Sequence, residues 1–164
     1  VILAAKTEEA LIFFQKQFKN RSVVKKYLAL AIGNVRDDQG VIENLIGRSP
    51  KDGKKQKCYL PFDPDSGGKR TAVTEYRVLE RYKDFTFLEL SPKTGRKHQI
   101  RCQLANMGNP IAGDKVYGYK GQPCPDGLKR QFLHASYIKI MLPNGEYKDF
   151  KSELPEELKI CLPN

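Results

Sequence analysis

Residues 92–101, which read PKTGRKHQIR, limit the possible fold more than any other part of the chain. Proline and glycine indicate a turn, and a threonine in such a turn commonly caps the start of a helix. Three apolar residues then follow at the spacing of one buried helical stripe over residues 96–107: Ile100, Leu104 and Met107. The stretch therefore predicts a turn that leads into a short amphipathic helix with cationic side chains at its entrance.

Arg101 lies at the shoulder of this predicted stripe, about a quarter turn from its centre. A partly buried guanidinium needs a carboxylate partner, because two parallel hydrogen bonds can then satisfy it. Asp84 and Asp114 are candidates, although both lie in turn-like sequence. Two interpretations stay open: Arg101 holds an active-site carboxylate, or it reaches solvent or pairs with a structural acid.

The predicted helix entrance also suits a phosphate group. Thr94 is placed to cap the helix, and Gly95 lets another backbone or a ligand approach closely. Free amides at a helix start, with Arg96 beside them, bind phosphate well. Ordinary capping explains the same residues, and His98 taken by itself is typical of a surface histidine.

Composition favours a polyanionic partner. The 164 residues suffice for one domain, expected to span 1–164, with a net charge of +10 and a pI of about 9.4. Such a charge favours nucleic acid, with a merely soluble basic protein as the alternative. Basic segments at 48–57 and 67–70 predict loops that contact phosphate or are simply solvated; the first is expected to be mobile. No apolar run has the length of a membrane span, and no signal peptide is visible.

The four cysteines do not indicate a metal centre. Cys58, Cys102, Cys124 and Cys161 are widely scattered and include no CxxC pair. Free thiols in a reducing cytosol are the simplest interpretation, so we expect a cytoplasmic protein without a metal.

One predicted strand, residues 23–32, has an unusual face. Alternation places leucine and isoleucine on one side of the strand. The other side holds one large ring, Tyr27, next to Lys25 and beside the small Ala29 and Ala31. That combination leaves room for a flat group to lie near the ring.

The rest of the chain shows a pattern of many strands and few helices. Thr7 is a plausible cap for an amphipathic helix over 7–19 with Leu11, Phe14 and Phe18 on one face. Alternation and turn residues predict further strands at 1–5, 71–81, 85–90, 132–141 and 146–150. A last helix is predicted at 155–161, and it begins at Pro155. We therefore expect an α+β fold with a largely antiparallel mixed sheet flanked by a few helices.

In combination, these segments resemble the RluA-type RNA pseudouridine synthases. Lys26-Tyr27-Leu28-Ala29-Leu30, followed by Gly33, resembles the tyrosine strand of that family. Residues 92–101, followed by GNPIAGD at 108–114 and Tyr117-Gly118, resemble the arginine motif of the family and its continuation. LHA at 133–135 and SELP at 152–155 resemble the C-terminal motifs of the family. The resemblance covers 1–158 and implies a pseudouridine synthase-like catalytic domain.

Two departures from the family pattern affect the expected chemistry. The catalytic aspartate of the family lies in a His-Arg-Leu-Asp motif, followed by Thr-Ser-Gly and a strand like residues 1–7. No aspartate here follows His-Arg-Leu. We therefore expect a partial, incomplete catalytic domain that begins just after that motif and is inactive by itself. In addition, Met141 stands near Pro143 where the family often has a histidine.

The resemblance implies that a uridine of ribosomal or transfer RNA is flipped out and isomerised to pseudouridine, without a cofactor. It implies that Tyr27 stacks on the base and helps to remove the C5 proton. Arg101 would hold the absent aspartate ionised, and Leu133 would help to wall the pocket. The side chains expected to meet RNA are Lys54, Lys55, Lys69, Arg70, Arg96 and His98.

We expect RNA as the partner, and we expect the protein to bind neither a membrane nor a metal. We also expect it to be a monomer. The main alternative is a non-catalytic RNA-binding module of the same fold, and a basic structural domain in a ribosome-associated assembly is another. A module predicts RNA affinity that falls steeply with salt while the full-length protein isomerises no uridine.

Overall fold

The computed structural model describes residues 1–163, which form one seven-stranded sheet and three helices. Every pair of neighbouring strands is antiparallel, in the order β3-β2-β4-β5-β1-β6-β7. This confirms the predicted α+β class. The elements are α1 (Glu8–Lys19), β1 (Val24–Ile32), β2 (Gln39–Arg48), β3 (Gln56–Tyr59), β4 (Arg70–Arg81), β5 (Phe85–Pro92), α2 (Gln99–Asn106), β6 (Leu133–Met141), β7 (Tyr147–Lys151) and α3 (Glu156–Lys159).

Local sequence explains most of these boundaries. The Thr7 hydroxyl caps α1 as predicted, accepting a hydrogen bond of 3.2 Å from the Ala10 amide. The hairpin between β4 and β5 closes with a 2.8 Å bond from the Tyr82 amide to the Phe85 carbonyl. α3 begins directly after Pro155, and β6 and β7 form the predicted hairpin. No helix among residues 1–163 is long and apolar enough to cross a membrane.

Three expectations about the elements were wrong or incomplete. Strands β2 and β3 were missed, because glycine and asparagine interrupt the alternation in β2. Residues 1–5 are not a strand: they belong to none of the seven strands of the sheet, and the Val1 amine bonds the Ala135 carbonyl of β6 at 2.6 Å. In α1 only Phe14 of the predicted stripe is buried, while Leu11 and Phe18 remain 47% and 43% exposed.

Both long helices cover the same face of the sheet, which we call the helical face. Tyr27, Leu90 and Tyr76 are in register across β1, β5 and β4, so their side chains point to one side. α2 lies on this side, because its Gln103 bonds Thr74, two residues from Tyr76.

α1 covers another part of the helical face. Its Phe14 packs with Ile138 of β6, which is in register with Lys25 of β1. Lys25 and Tyr27 alternate onto the same side of β1. The middle of the helical face, around Tyr27, therefore lies between the two helices.

Candidate active site

The turn before α2 differs from the prediction. α2 begins at Gln99, and the residue before it, His98, has a left-handed backbone with φ of 55°. Thr94 does not cap the helix; its hydroxyl donates to Gln99 Oε1 at 2.8 Å and accepts from the Val73 amide at 3.0 Å. Gln99 Oε1 also accepts from the Arg96 amide at 2.9 Å, so the turn is tied to both α2 and β4. Arg96 and His98 consequently precede the helix.

The buried side of α2 is more polar than predicted. Met107 is 37% exposed, whereas Gln103 is fully buried beside Leu104. Gln103 accepts from the Thr74 hydroxyl at 2.6 Å and donates to the Ile42 and Ala72 carbonyls at 3.2 Å each. These bonds fix the rotation of α2, because a buried amide must satisfy its donors and acceptor.

Arg101 is held by Asp114. Its Nε lies 2.6 Å from Oδ2 of Asp114 and its Nη2 lies 2.7 Å from Oδ1, a two-pronged ion pair in which the carboxylate side chain has no exposed surface. Within residues 1–163 the partner of Arg101 is therefore Asp114, and a contact with the aspartate that the resemblance requires stays a prediction. Asp114 was one of the two candidates, and the other, Asp84, lies in the turn between β4 and β5.

Asp114 makes more hydrogen bonds than its turn-like sequence indicated. Oδ1 also accepts from the amides of Val116 and Tyr117, at 2.9 and 3.1 Å. Burial raises the pKa of the Asp114 carboxyl, but the hydrogen bond from Arg101 and those two amides outweigh it, so the pKa is lowered overall. The same hydrogen bond raises the pKa of Arg101 against the effect of burial. Both groups are charged at neutral pH.

Tyr117 joins this cluster to β3 and was not predicted as a site residue. Its hydroxyl accepts from the Gln56 amide at 2.8 Å and lies 3.0 Å from Nδ1 of His98. The hydroxyl proton is therefore free to point at Nδ1, which favours a neutral imidazole with its proton on Nε2. Burial lowers the pKa of His98, as do the charges of Arg101 and Lys97. The Arg101 guanidinium carbon lies 5.2 Å from the centre of the Tyr117 ring.

Tyr27 opens into a separate cavity of about 260 Å³ between α1, β1, β6 and the first residues of the chain. Ala135 lies directly across from Tyr27 on β6. Burial raises the pKa of Tyr27, so its phenol is protonated at neutral pH. Lys25 and Phe14 also line this cavity, whereas Arg101 is not among its lining residues in the described part of the chain.

Leu133 lies on the same face as Tyr27. It begins β6 opposite Ala29, two positions along β1 from Tyr27, and it is half-buried against the core. Ala29 and Ala31 are fully buried, so the space above them is set by their small side chains, as the alternation suggested. The structure thus places Tyr27 and Leu133 close together and brings Arg101 to the same face on α2.

The six predicted RNA contacts gather at one end of the sheet, which we call the basic end. This end contains the turn between β2 and β3, the start of β4 and the segment after β5, because these strands are antiparallel neighbours. Lys54 and Lys55 lie in that turn, where Asp52 accepts from the Lys54 amide at 2.9 Å. The remaining residues of the set are Lys69, Arg70, Arg96 and His98.

Two of the four thiols form a buried contact. Sγ of Cys58 on β3 lies 3.3 Å from Sγ of Cys102 on α2, so this pair packs the helix onto the edge of the sheet. Within residues 1–163 no group of three or more histidine, cysteine, aspartate or glutamate side chains is arranged to hold a metal ion.

Comparison with known proteins identifies the class to which this fold and site belong. The RNA pseudouridylate synthase family matches residues 1–106. An uncharacterized RNA pseudouridine synthase of Chloroflexus aurantiacus is 37% identical over 163 residues, which are 99% of this chain and 48% of that protein. Ribosomal large subunit pseudouridine synthase D of Borreliella burgdorferi is 35% identical over 167 residues, or 100% of this chain and 48% of that protein.

Solved structures agree with this assignment. Human RNA pseudouridylate synthase domain containing 1 superposes with a TM-score of 0.79 and 28% sequence identity, over 96% of this chain and 66% of that one. This chain belongs to the RNA pseudouridylate synthase family, as its RluA-type motifs indicated. It spans about half the length of the curated relatives that it matches.

Proposed function

We propose that this chain is the C-terminal part of the catalytic domain of an RNA pseudouridine synthase, which isomerises a uridine in ribosomal or transfer RNA. The observation that carries the proposal is the position of Tyr27, half-buried in a cavity on the helical face beside fully buried alanines. A uridine flipped out of its stack fits a site of this kind, where an aromatic ring meets its flat face.

In the proposed reaction the N1–C1′ bond of uridine breaks and a C5–C1′ bond forms. C5 loses a proton and N1 gains one, so no electrons are exchanged with a cofactor. Tyr27 stacks on the base, and its oxygen receives the C5 proton while the phenolic proton passes to solvent water. Water in turn supplies the proton that N1 gains. Burial raises the pKa of Tyr27, which disfavours phenolate at neutral pH and is consistent with such a coupled transfer.

The aspartate that the resemblance requires is proposed to precede Val1. The amine of Val1 donates to the Ala135 carbonyl at 2.6 Å, and Ala135 lies opposite Tyr27. Residues that precede Val1 would enter beside Tyr27, and a few extended residues reach roughly 10–20 Å. The chain without such residues is proposed to be inactive.

Arg101 retains a means of contacting that aspartate. Asp114 occupies Nε and Nη2, whereas Nη1 makes no hydrogen bond within residues 1–163. We propose that Asp114 orients the guanidinium and that Nη1 donates to the incoming carboxylate, which keeps it ionised. Leu133 contributes an apolar wall, and cations at the basic end bind phosphates.

Two observations test the proposal. The codons before Val1 should encode a His-Arg-Leu-Asp segment, and RNA from a deletion strain should lack pseudouridine at one or a few sites by mass spectrometry. Wild-type protein as its gene encodes it should restore the modification, and Tyr27→Phe should not.

The alternative, a binding module without catalysis, predicts unchanged pseudouridine maps in the deletion strain together with salt-sensitive RNA binding. Absence of the aspartate codons would also favour this alternative. The monomeric state and the cytoplasmic location remain predictions, which gel filtration and cell fractionation would test.

A further inference from the structure

Four cations converge on the turn at residues 94–96, and we call them the cation cluster: Arg21, Lys25, Arg70 and Arg96. The ion pairs within residues 1–163 are Lys26–Glu89, Arg77–Glu89, Arg81–Asp38, Lys93–Glu75, Arg101–Asp114 and Arg130–Glu157. None of them includes a member of the cation cluster. A group of like charges without acids destabilises a fold unless an anion binds there.

The geometry of the cluster comes from separate elements. Arg96 Nε donates to the Thr71 carbonyl at 3.0 Å, which holds its guanidinium at the start of β4 next to Arg70. Lys25 reaches across from β1, and its Nζ lies 3.9 Å from the place that a Cβ on Gly95 would occupy. Burial lowers the pKa of Arg96, and the nearby charges of Arg21 and Arg70 lower it further.

Lys25 connects the cluster to the Tyr27 cavity. It lines that cavity and also a wider groove of about 900 Å³, which Arg21 lines as well. The acids that line this groove, Glu75 and Glu89, are paired with cations outside the cation cluster. Burial lowers the pKa of Lys25, since no acid offsets the loss of water, and its Nζ lies 5.9 Å from the centre of the Phe18 ring. A group bound at Lys25 would therefore touch both the cavity and the groove.

Arg21 occupies a position that favours glycine. It follows α1 with φ of 58°, and the Ser22 amide bonds the Gln17 carbonyl at 3.1 Å, the arrangement in which glycine usually ends a helix. Keeping a long cationic side chain in this conformation costs free energy. Within residues 1–163 the Arg21 side chain forms no ion pair, so no such pair offsets this cost.

We propose that the cation cluster binds the RNA backbone phosphate next to the flipped uridine, with Lys25 joining the base cavity to the path of the strand. This inference rests on the proposed function and adds Arg21 and Lys25 to the RNA-binding residues. The partner is a single RNA strand, because the groove continues from a cavity that receives one base.

The test measures binding of a short fluorescein-labelled oligouridylate to the protein as its gene encodes it, over a range of KCl concentrations. The test variant is Arg21→Gly/Lys25→Met. Its plot of log K against log salt should be less steep than that of the wild type by about 0.7 for each lost phosphate contact. The control is Lys83→Met/Lys120→Met, which also removes two positive charges, from the turn at the opposite end of β5 and from the segment between α2 and β6. Its slope should equal that of the wild type.

Changes in folding stability can be told apart from changes in RNA binding. Arg21→Gly relieves the left-handed backbone, so its urea midpoint should rise while its salt slope falls. Lys25→Arg should keep the wild-type slope. Equal slopes for Arg21→Gly/Lys25→Met and the Lys83→Met/Lys120→Met control would overturn the inference.

The outcome can be separated from that of the proposed function. If the protein forms no pseudouridine but the slope still falls in Arg21→Gly/Lys25→Met, the isomerase proposal fails and the cation cluster stands as an RNA site. If pseudouridine forms normally and the slopes are equal, the isomerase proposal stands and the cation cluster is not an RNA site.

Discussion

Two parts of the helical face differ in how their polar groups are satisfied. Under α2, the buried amide of Gln103 and the ion pair of Arg101 with Asp114 have partners within the chain. Around Tyr27 the surface is an apolar cavity bordered by Lys25, which has no acidic partner within residues 1–163. The chain itself satisfies the polar groups of the first part, whereas we propose that RNA does so for the second.

The largest effect is expected when the ion pair is broken. Arg101→Ala leaves the fully buried Asp114 carboxylate without its charged partner, and such a loss costs about 3–5 kcal/mol. Urea denaturation of wild type and variant measures the change. As a control, Arg130→Ala removes an arginine from an exposed pair with Glu157 and should cost about 1 kcal/mol or less. Similar midpoints for the two variants would remove the distinction between the two parts of the face.

A smaller effect is expected at Gln103. Gln103→Leu removes four hydrogen bonds, to the Thr74 hydroxyl, the Asn44 side chain and the carbonyls of Ile42 and Ala72. These buried groups lose a partner, at a cost of about 1–3 kcal/mol. Gln15→Leu is the matched control, because Gln15 is exposed on α1. If Gln15→Leu destabilises the protein as much as Gln103→Leu does, the loss of an amide group explains the result and the buried hydrogen bonds of Gln103 do not.

The effect of pH on stability is expected to be smaller still, since it comes from the imidazole ring of His98 alone. Burial lowers the pKa of His98 below its ordinary value of 6.5, with Arg101 and Lys97 acting in the same direction and Asp114 opposing them. The folded state thus favours neutral histidine beside Tyr117. This contribution to stability is fully present above pH 6.5 and is lost as pH falls through the lowered pKa.

The measurement is the urea midpoint of wild type and His98→Gln across that pH range. Glutamine keeps a hydrogen-bonding group near Tyr117 but does not titrate. The wild type should lose more stability than the variant on acidification. A parallel decline of both proteins would assign the pH dependence to other groups.

The two parts of the face also differ in how well the sequence predicts them. Alternation in β1 correctly placed Tyr27 beside small alanines, because strand alternation is a local property. The turn at Thr94 was predicted as an ordinary cap, since a single sequence does not show that its hydroxyl bonds both the Val73 amide and the Gln99 side chain. Likewise, the spacing showed that Arg101 needs a carboxylate but could not choose between Asp84 and Asp114.

The smallest effect on stability is expected in the cavity. The Tyr27 hydroxyl makes no hydrogen bond within residues 1–163, so Tyr27→Phe removes an oxygen without leaving a partner unsatisfied. Its free energy of unfolding should stay within about 0.5 kcal/mol of the wild type. The proposed proton transfer nevertheless depends on that oxygen, and pseudouridine formation should fall by about 10²–10⁴-fold.

The comparison with Tyr147→Phe makes this result decisive. Tyr147 lies on the edge strand β7 and is 60% exposed, so both its stability and its activity should stay at the wild-type level. A stable Tyr27→Phe protein that still isomerises uridine at the wild-type rate would deny the hydroxyl a chemical role and leave the ring only a stacking one. A strongly destabilised variant would instead show that the chain itself satisfies the cavity, so the contrast with the α2 part of the face would disappear.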